Sequence, residues 1–206
     1  MYFISALAVA AALAGSAIAA PGDCRPLRGS SAPGPLPNTP EDFASFAYFD
    51  DVANSSTAPA NYEAFMVAGH AAVHGDAHYV TYRRLSSYDV GACAKACDGL
   101  KECASFNIYF QRYPTVAPGP ACPNPEAKVV VRCALFRSPM SAGQATNYGQ
   151  LRGPADADDE RFEVLMRGSN AYNRLVSPVG RVTATSTVTS VTTATVTNTV
   201  FPIVRA

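Results

Sequence analysis

The three histidines of this sequence have a spacing that could support metal chemistry. His70, His74 and His78 recur every four residues, so in a helix their imidazoles would lie along one face and could bind Zn²⁺ or Cu²⁺. Gly69 and Gly75 bracket the segment, however, and glycines at these positions favour a turn between two strands over a helix. We therefore expect a solvated histidine cluster in a loop, with metal binding as an alternative.

Sequence motifs for catalysis are absent. The chain has no G-x-S-x-G, H-E-x-x-H or P-loop pattern, and no cysteine is free to act as a nucleophile if all six pair. The acidic segment Asp156 to Glu160 could hold Ca²⁺ but lacks the glycine and the ligand spacing of an EF-hand. The sequence therefore predicts a protein that is not an enzyme and needs no cofactor.

The N-terminal segment has the features of a secretory leader. Residues 1–19 form an alanine-rich apolar run that ends in Ala17-Ile18-Ala19, a pattern that predicts a cleaved signal peptide. The formal net charge of the chain is zero, so nucleic acid and anionic membranes are not expected partners. We expect a secreted protein, extracellular or in the cell wall, with no membrane span once the leader is removed.

Composition divides the remaining sequence into three segments. Residues 20–41 are rich in proline and predict an extended arm, and residues 42–174 predict the folded domain. Residues 175–206 form a Thr/Ser/Val-rich tail. Its composition predicts either an O-glycosylated stalk or a β-prone tail that has no function of its own. Asn54 opens the only N-glycosylation sequon and is expected in a polar loop.

The cysteines give the strongest structural signal. Cys93, Cys97 and Cys103 lie close together, and Cys93 and Cys97 are one helical turn apart, so both thiols lie on the same helix face. Six cysteines are an even number, which in an exported chain predicts that all of them pair. Spacing alone does not choose among the many connectivities that six cysteines allow.

Hydrophobic periodicity predicts the elements that position these residues. A short helix is expected to begin at Pro40 with Phe43 and Phe46 facing inward, and Asp89 is expected to cap a second helix. The Pro-rich segment from Gln111 to Lys128 is expected to be a loop. The remaining predictions are strands Tyr62–Gly69, His78–Leu85, Ala104–Phe110, Val129–Phe136 and Arg161–Arg167, with the capped helix over Val90–Cys97.

Several motifs occur together between residues 39 and 174. They are the C-x3-C helix, the Ser105–Phe110 strand after Cys103, the Pro118–Pro125 loop with Cys122, Cys133 followed by Ala-Leu-Phe, Ala145–Gln150, and Phe162–Tyr172. In combination they resemble the PAN/apple-like domains of small secreted fungal proteins of uncharacterised function. The resemblance implies an α+β fold in which one helix packs on a curved antiparallel β-sheet held by disulfides.

The resemblance also implies a disulfide pattern. The implied pairs are Cys93–Cys133, Cys97–Cys103 and Cys24–Cys122. Bonds of this kind would make the cysteines structural staples, so we do not expect them to act as reactive or zinc-binding thiols.

PAN/apple-like modules are associated with protein or carbohydrate recognition, so the resemblance implies a binding function. A planar ring can stack on a sugar, and amide or guanidinium groups can bond its hydroxyls. The candidate ligand-binding residues are Asn107, Tyr109, Arg112 and Tyr113, with Asn107 and Tyr109 on one strand face. The alternative is that Asn107 and Tyr109 only cover the second face of the sheet.

The leading hypothesis is a secreted, non-catalytic binding module that recognises an extracellular protein or a glycan, at the cell wall or elsewhere outside the cell. An alternative from another class is a structural cell-wall or surface protein whose O-glycosylated tail is the anchored part. A third hypothesis is metal binding through His70, His74 and His78.

Overall fold

Residues 24–29 and 31–175 are described by the computed structural model. The predicted signal peptide over residues 1–19 and the predicted tail from residue 176 onward lie outside the described residues. The described part is α+β, with a six-stranded antiparallel β-sheet and three disulfides. In chain order its helices and strands are α1 (Pro40–Ser45), α2 (Tyr48–Ser55), β1 (Tyr62–Gly69), β2 (Tyr79–Leu85), α3 (Val90–Asp98), β3 (Ser105–Pro114), β4 (Ala127–Phe136), a 3₁₀ turn (Ala142–Gln144), β5 (Gly149–Arg152) and β6 (Phe162–Arg174).

The sheet is covered on both faces at its centre. Its strand order is β1-β6-β3-β4-β2, and β5 pairs with the first residues of β6. One core, which includes Phe106, Ile108 and Phe110, packs against the helices. A second core, which includes Tyr109 and Phe136, lies on the opposite face. As a result every residue of β3 is buried, whereas its alternating sequence predicted one solvated face.

Helix α3 is fixed by its N-cap and by two disulfides. The Asp89 side chain accepts a hydrogen bond from the Ala92 backbone N–H at 2.8 Å, as the sequence predicted. Cys93 and Cys97 are fully buried on the face that meets the sheet. The disulfides are Cys93–Cys133, Cys97–Cys103 and Cys24–Cys122, so the implied pairing is confirmed.

Replacing Asp89 by alanine is expected to lower the free energy of unfolding by about 1 kcal/mol, because it removes the acceptor of an otherwise unpaired N–H in the first turn of α3. The side chain is exposed, so no cavity complicates the result. Urea denaturation measures the change. The control Asp89→Asn keeps a capping oxygen and should stay close to the parent protein, whereas equal losses in both variants would contradict a capping role.

The N-terminal helices partly follow the prediction. Helix α1 begins at Pro40, Phe43 is fully buried, and Phe46 packs against the same core. Helix α2 was not predicted, and it places Asn54 at an exposed position in its last turn, so the expectation of a loop there is wrong. None of the helices in the described part is long and apolar enough to cross a membrane.

Strand β6 is longer than predicted, because Gly168 marks a bulge and not the end of the strand. The β3–β6 register shifts between Ile108 and Phe110, and Gly168 has a φ of 55°. A Cβ at this position would lie 2.4 Å from the carbonyl oxygen of Phe49, so glycine also permits the close approach of α2. The strand then continues to Arg174.

The connection between β3 and β4 is shorter than the predicted loop over residues 111–128. Strand β3 runs to Pro114 and β4 begins at Ala127, with Gln111 paired to Val130. These residues lack the apolar periodicity of a strand, and the pairing with a partner strand decides their conformation.

The described part of the arm before α1 contains no helix and pairs with the sheet. Its Leu27 N–H donates to the Thr115 carbonyl and its Ala32 N–H donates to the Val129 carbonyl, both at 2.8 Å. The Cys24–Cys122 disulfide ties its beginning to the β3–β4 connection. The arm is therefore held along the sheet before it reaches α1.

Candidate ligand-binding cleft

The four predicted ligand-binding residues lie on β3 but do not form one surface. Asn107, Tyr109 and Tyr113 point to one face of the strand, and Arg112 points to the other. All four are buried, with exposed fractions of 0% for Asn107, 9% for Tyr109, 7% for Tyr113 and 6% for Arg112. They therefore do not form an exposed binding surface, since β3 is covered on both faces. Their role in ligand binding stays a prediction.

Asn107 uses its amide within the fold. Its Oδ1 accepts a hydrogen bond from the Val73 backbone N–H at 2.8 Å. Its Nδ2 donates to the Ser169 Oγ and to the Asn170 carbonyl, both at 2.8 Å. The side chain thus joins the β1–β2 connection to β6 beneath the second core.

Tyr109 belongs to the second core, beside Ala134 and Phe136. Its burial raises the pKa of the phenol to about 12. Both Asn107 and Tyr109 therefore cover the second face of the sheet, the alternative that the sequence had left open.

Arg112 lies on the other face, where it forms part of the wall of a cleft. Its Nε donates to the Asn38 carbonyl at 3.0 Å, and its Nη1 donates to the Glu163 carbonyl at 2.6 Å. Its guanidinium carbon lies 4.6 Å from the centre of the Phe162 ring. Burial lowers the pKa of Arg112, and the carboxylates of Glu163 and Glu41 oppose that shift. The side chain therefore joins the arm to β6 at the back of the cleft.

The cleft is open to solvent and has a volume of about 780 Å³. Five parts of the chain meet there: the end of the arm with α1, β3, the β3–β4 connection with the start of β4, β5, and the segment that enters β6 with the start of that strand. The lining residues are Leu36–Glu41, Arg112, Asn124–Ala127, Leu151, Glu160, Arg161 and Glu163. The volume lies within the range that small-molecule and cofactor sites occupy in proteins.

The lining combines carboxylates with apolar side chains. Glu41, Glu126 and Glu160 are exposed, while Leu36 and Leu151 are 96% and 53% exposed. The four glutamates of the lining outnumber its two arginines, so the cleft carries a negative charge at neutral pH. It can therefore accept hydrogen bonds from hydroxyl, amide or ammonium groups of a ligand.

One buried polar atom of the lining has no partner. Asn38 Oδ1 is shielded from solvent and makes no hydrogen bond in the described part of the chain. Such an acceptor costs free energy that a donor from a ligand could offset after a small side-chain movement.

Of the cleft residues, Arg112 is the one that the sequence predicted as a ligand contact, and Glu160 belongs to the acidic segment that was considered for Ca²⁺. The others include prolines, glutamates, asparagines and leucines, and they come mainly from segments that look like solvated loops, so their convergence depends on long-range pairing. The available signals were the prolines of the arm next to the acidic start of α1 and the acidic segment that ends at Glu160.

The histidines lie in the connection between β1 and β2, as the glycines predicted, and they do not converge. His74 Nε2 lies 2.8 Å from Asp76 Oδ1, and His70 Nε2 lies 3.6 Å from Asp50 Oδ2. Among the residues described, no three His, Cys, Asp or Glu side chains are close enough to hold a metal ion. The three imidazoles therefore do not form a metal centre in this conformation.

The acidic segment before β6 forms its own turn. Asp156 Oδ1 accepts hydrogen bonds from the backbone N–H groups of Glu160 at 2.9 Å and Asp158 at 3.0 Å. The pKa of Asp156 lies below its ordinary value, mainly because of the hydrogen bond from the Glu160 backbone N–H. This carboxylate therefore fixes the turn that carries Glu160 to the cleft.

No family model, curated protein or solved structure matches this chain. The resemblance to PAN/apple-like domains therefore stays a prediction from the motifs.

Proposed function

We propose that this protein is an extracellular, non-catalytic binding module, with a PAN/apple-like domain, that holds a carbohydrate or protein ligand in the cleft. The observation that carries the proposal is the cleft itself. It is open, has a volume of about 780 Å³ and combines exposed apolar side chains with several unpaired carboxylates. The arm that forms one wall is fixed by a disulfide and by backbone hydrogen bonds, so the site exists before a ligand arrives.

Carbohydrate is the ligand class that we favour. Carboxylate, amide and guanidinium groups each present two coplanar polar atoms, which can pair with neighbouring sugar hydroxyls. Glu126, Asn124 and Arg161 provide one of each kind along the cleft. The exposed side chains of Leu36 and Leu151 can cover the C–H faces of a sugar ring.

A basic protein segment is the second candidate, and the excess of carboxylates favours it. Glu41, Glu126 and Glu160 are exposed and form no ion pair within the described residues. Lysine or arginine side chains of a partner could pair with them.

An extracellular or cell-wall location is supported by the cysteines. All six form disulfides and none is free. Bonds of this kind persist in oxidising compartments and are rare in the cytosol. A glycan of the wall or a protein outside the cell is therefore the ligand that the protein would meet.

Replacing Glu126 and Glu160 together by glutamine is expected to weaken ligand binding about tenfold or more, because hydrogen bonds to a charged group are worth about 1.5–3 kcal/mol each. A glycan array and a panel of basic peptides first select the ligand, and titration calorimetry then measures its affinity. Both side chains are exposed, so the variant should keep the parent stability.

The matched control is Glu102→Gln, an exposed glutamate after α3 that does not line the cleft. It should bind like the parent protein. If the double variant and the control retain equal affinity, the cleft is not the binding site. The proposal that the module is non-catalytic is tested by chromatography of the ligand after incubation with the protein. A module that only binds leaves its ligand chemically unchanged.

A further inference from the structure

A second candidate site lies on the opposite face of the sheet, at its β2 edge. Three arginines and two tyrosines from four strands meet there, and we call them the arginine–tyrosine cluster. Its members are Tyr82 and Arg84 of β2, Tyr113 of β3, Arg132 of β4 and Arg152 of β5. None of the five lines the cleft.

Arg132 is the buried centre of the arginine–tyrosine cluster, with an exposed fraction of 6%. Its guanidinium carbon lies 4.7 Å from the centre of the Tyr82 ring and 4.8 Å from that of Tyr113. Its Nε donates to Gln111 Oε1 at 2.8 Å, while its buried Nη1 has no hydrogen-bond partner in the described part of the chain. Two rings and one neutral amide thus surround a buried charge, which is costly without a counter-ion.

The positive charges of the arginine–tyrosine cluster are close together. The guanidinium carbons of Arg84, Arg132 and Arg152 lie 6.0, 4.8 and 5.9 Å from the centre of the Tyr113 ring. Arg84 and Arg132 are also direct cross-strand partners in the β2–β4 register. Like charges in this position repel each other, so the arrangement is destabilising unless an anion is present.

No carboxylate of the described residues neutralises these arginines. None of the three takes part in an ion pair. Burial raises the pKa of Tyr82, but the charges of Arg132 and Arg84 outweigh it and the pKa lies below its ordinary value. Within the described residues, the charged groups that lower the pKa of Tyr82 are both arginines, which indicates a positive potential at its hydroxyl.

The exposed arginines of the arginine–tyrosine cluster have guanidinium N–H groups that are not used within the fold. The side chain of Arg152 makes no hydrogen bond or ion pair within the described residues, and it contacts only the Tyr113 ring there. Arg84 donates to the Arg28 carbonyl at 2.9 Å and to the Tyr82 hydroxyl at 3.3 Å, which leaves further N–H groups for a ligand. The Tyr82 side chain is 41% exposed, so an apolar ring surface lies beside the free donors.

We propose that the arginine–tyrosine cluster binds a carboxylate-bearing sugar polymer. Arg84 and Arg152 donate hydrogen bonds to the carboxylate of a sugar acid, and the Tyr82 ring packs on the sugar face. The negative charge of the ligand also offsets the repulsion among the three guanidinium groups. A sugar acid uses both the charges and the exposed ring, whereas a nucleic acid would need a larger basic surface than a chain of zero net charge provides.

Titration calorimetry of the full chain with an oligomer of galacturonic acid tests the proposal. Binding is expected at low salt and should weaken strongly at high salt, because the contacts are ionic. The methyl-esterified oligomer has the same rings without the charge and should bind at least tenfold more weakly. Arg84→Gln and Arg152→Gln should each reduce affinity for the acid about tenfold, and the double variant should abolish measurable binding.

Arg83→Gln is the matched control. Arg83 is an exposed neighbour on β2 whose side chain points to the other face, so its loss removes the same charge and should leave binding unchanged. Thermal unfolding verifies that each variant is folded. Equal affinity for the esterified oligomer, or an equal loss in the Arg83 control, would overturn the proposal. Binding of poly-glutamate as tight as that of the sugar acid would also overturn it and would indicate an acidic protein partner.

Discussion

Replacing Cys93 and Cys133 together by alanine is expected to lower the free energy of unfolding by about 4 kcal/mol. The bond closes a 40-residue interval, and its loss releases that constraint from the unfolded chain. Both cysteines are fully buried between α3 and β4, so the change also removes core volume without adding a polar group. Urea denaturation followed by circular dichroism measures the difference.

The double variant of Cys97 and Cys103 is the comparison. These residues are separated by 6 positions, so the same loop model predicts a loss of only about 2 kcal/mol. Both cysteines of this pair are also buried, which keeps the core contribution similar. Equal losses in the two double variants would contradict loop entropy as the main cause. Refolding of the Cys93/Cys133 variant to the parent stability would show that packing alone holds α3 on the sheet.

Local signals in the sequence were sufficient to locate α3 and most strands. The cap at Asp89, the one-turn spacing of Cys93 and Cys97, and the strand after Cys103 are each indicated by neighbouring residues only, and each is found in the structure, although both faces of that strand are buried. The disulfide pairing was implied by a resemblance and matches the observed bonds.

Features that depend on long-range contacts could not be predicted in this way. Gly168 looked like the end of a strand because a bulge and a turn use glycine for the same conformational reason, and only the register with β3 distinguishes them. Strand β5 has four residues and three of them are exposed, so its sequence lacks an apolar pattern. Pairing with β6 places it beside the cleft.

The candidate sites were missed for a related reason. Alternation along β3 predicted a half-buried strand, but the second core covers the face that carries Asn107 and Tyr109. In the arginine–tyrosine cluster the tyrosines and arginines come from four strands, so the sequence did not show that Arg84 and Arg132 are cross-strand partners. Both sites depend on register, and a single-residue shift of β2 would place Arg84 on the other face.

Replacing Asn107 by alanine is expected to lower the free energy of unfolding by about 4 kcal/mol, although the sequence predicts this residue as a ligand contact. The change removes three hydrogen bonds and leaves the Val73 N–H, the Ser169 hydroxyl and the Asn170 carbonyl with one partner fewer inside the protein. Each buried group left unpaired costs about 1–3 kcal/mol. Chemical denaturation without any ligand measures the loss.

Asn124→Ala is the control, because Asn124 is exposed and its only side-chain hydrogen bond within the described residues, to Asp156, is long at 3.3 Å. It should change stability by less than about 0.5 kcal/mol. A folded Asn107→Ala protein is expected to keep its ligand affinity at low temperature, since the side chain is fully buried and does not line the cleft. If the Asn107→Ala protein kept its stability but lost ligand binding, the structural role of Asn107 would be contradicted. The residue would then belong to a ligand site that opens on binding.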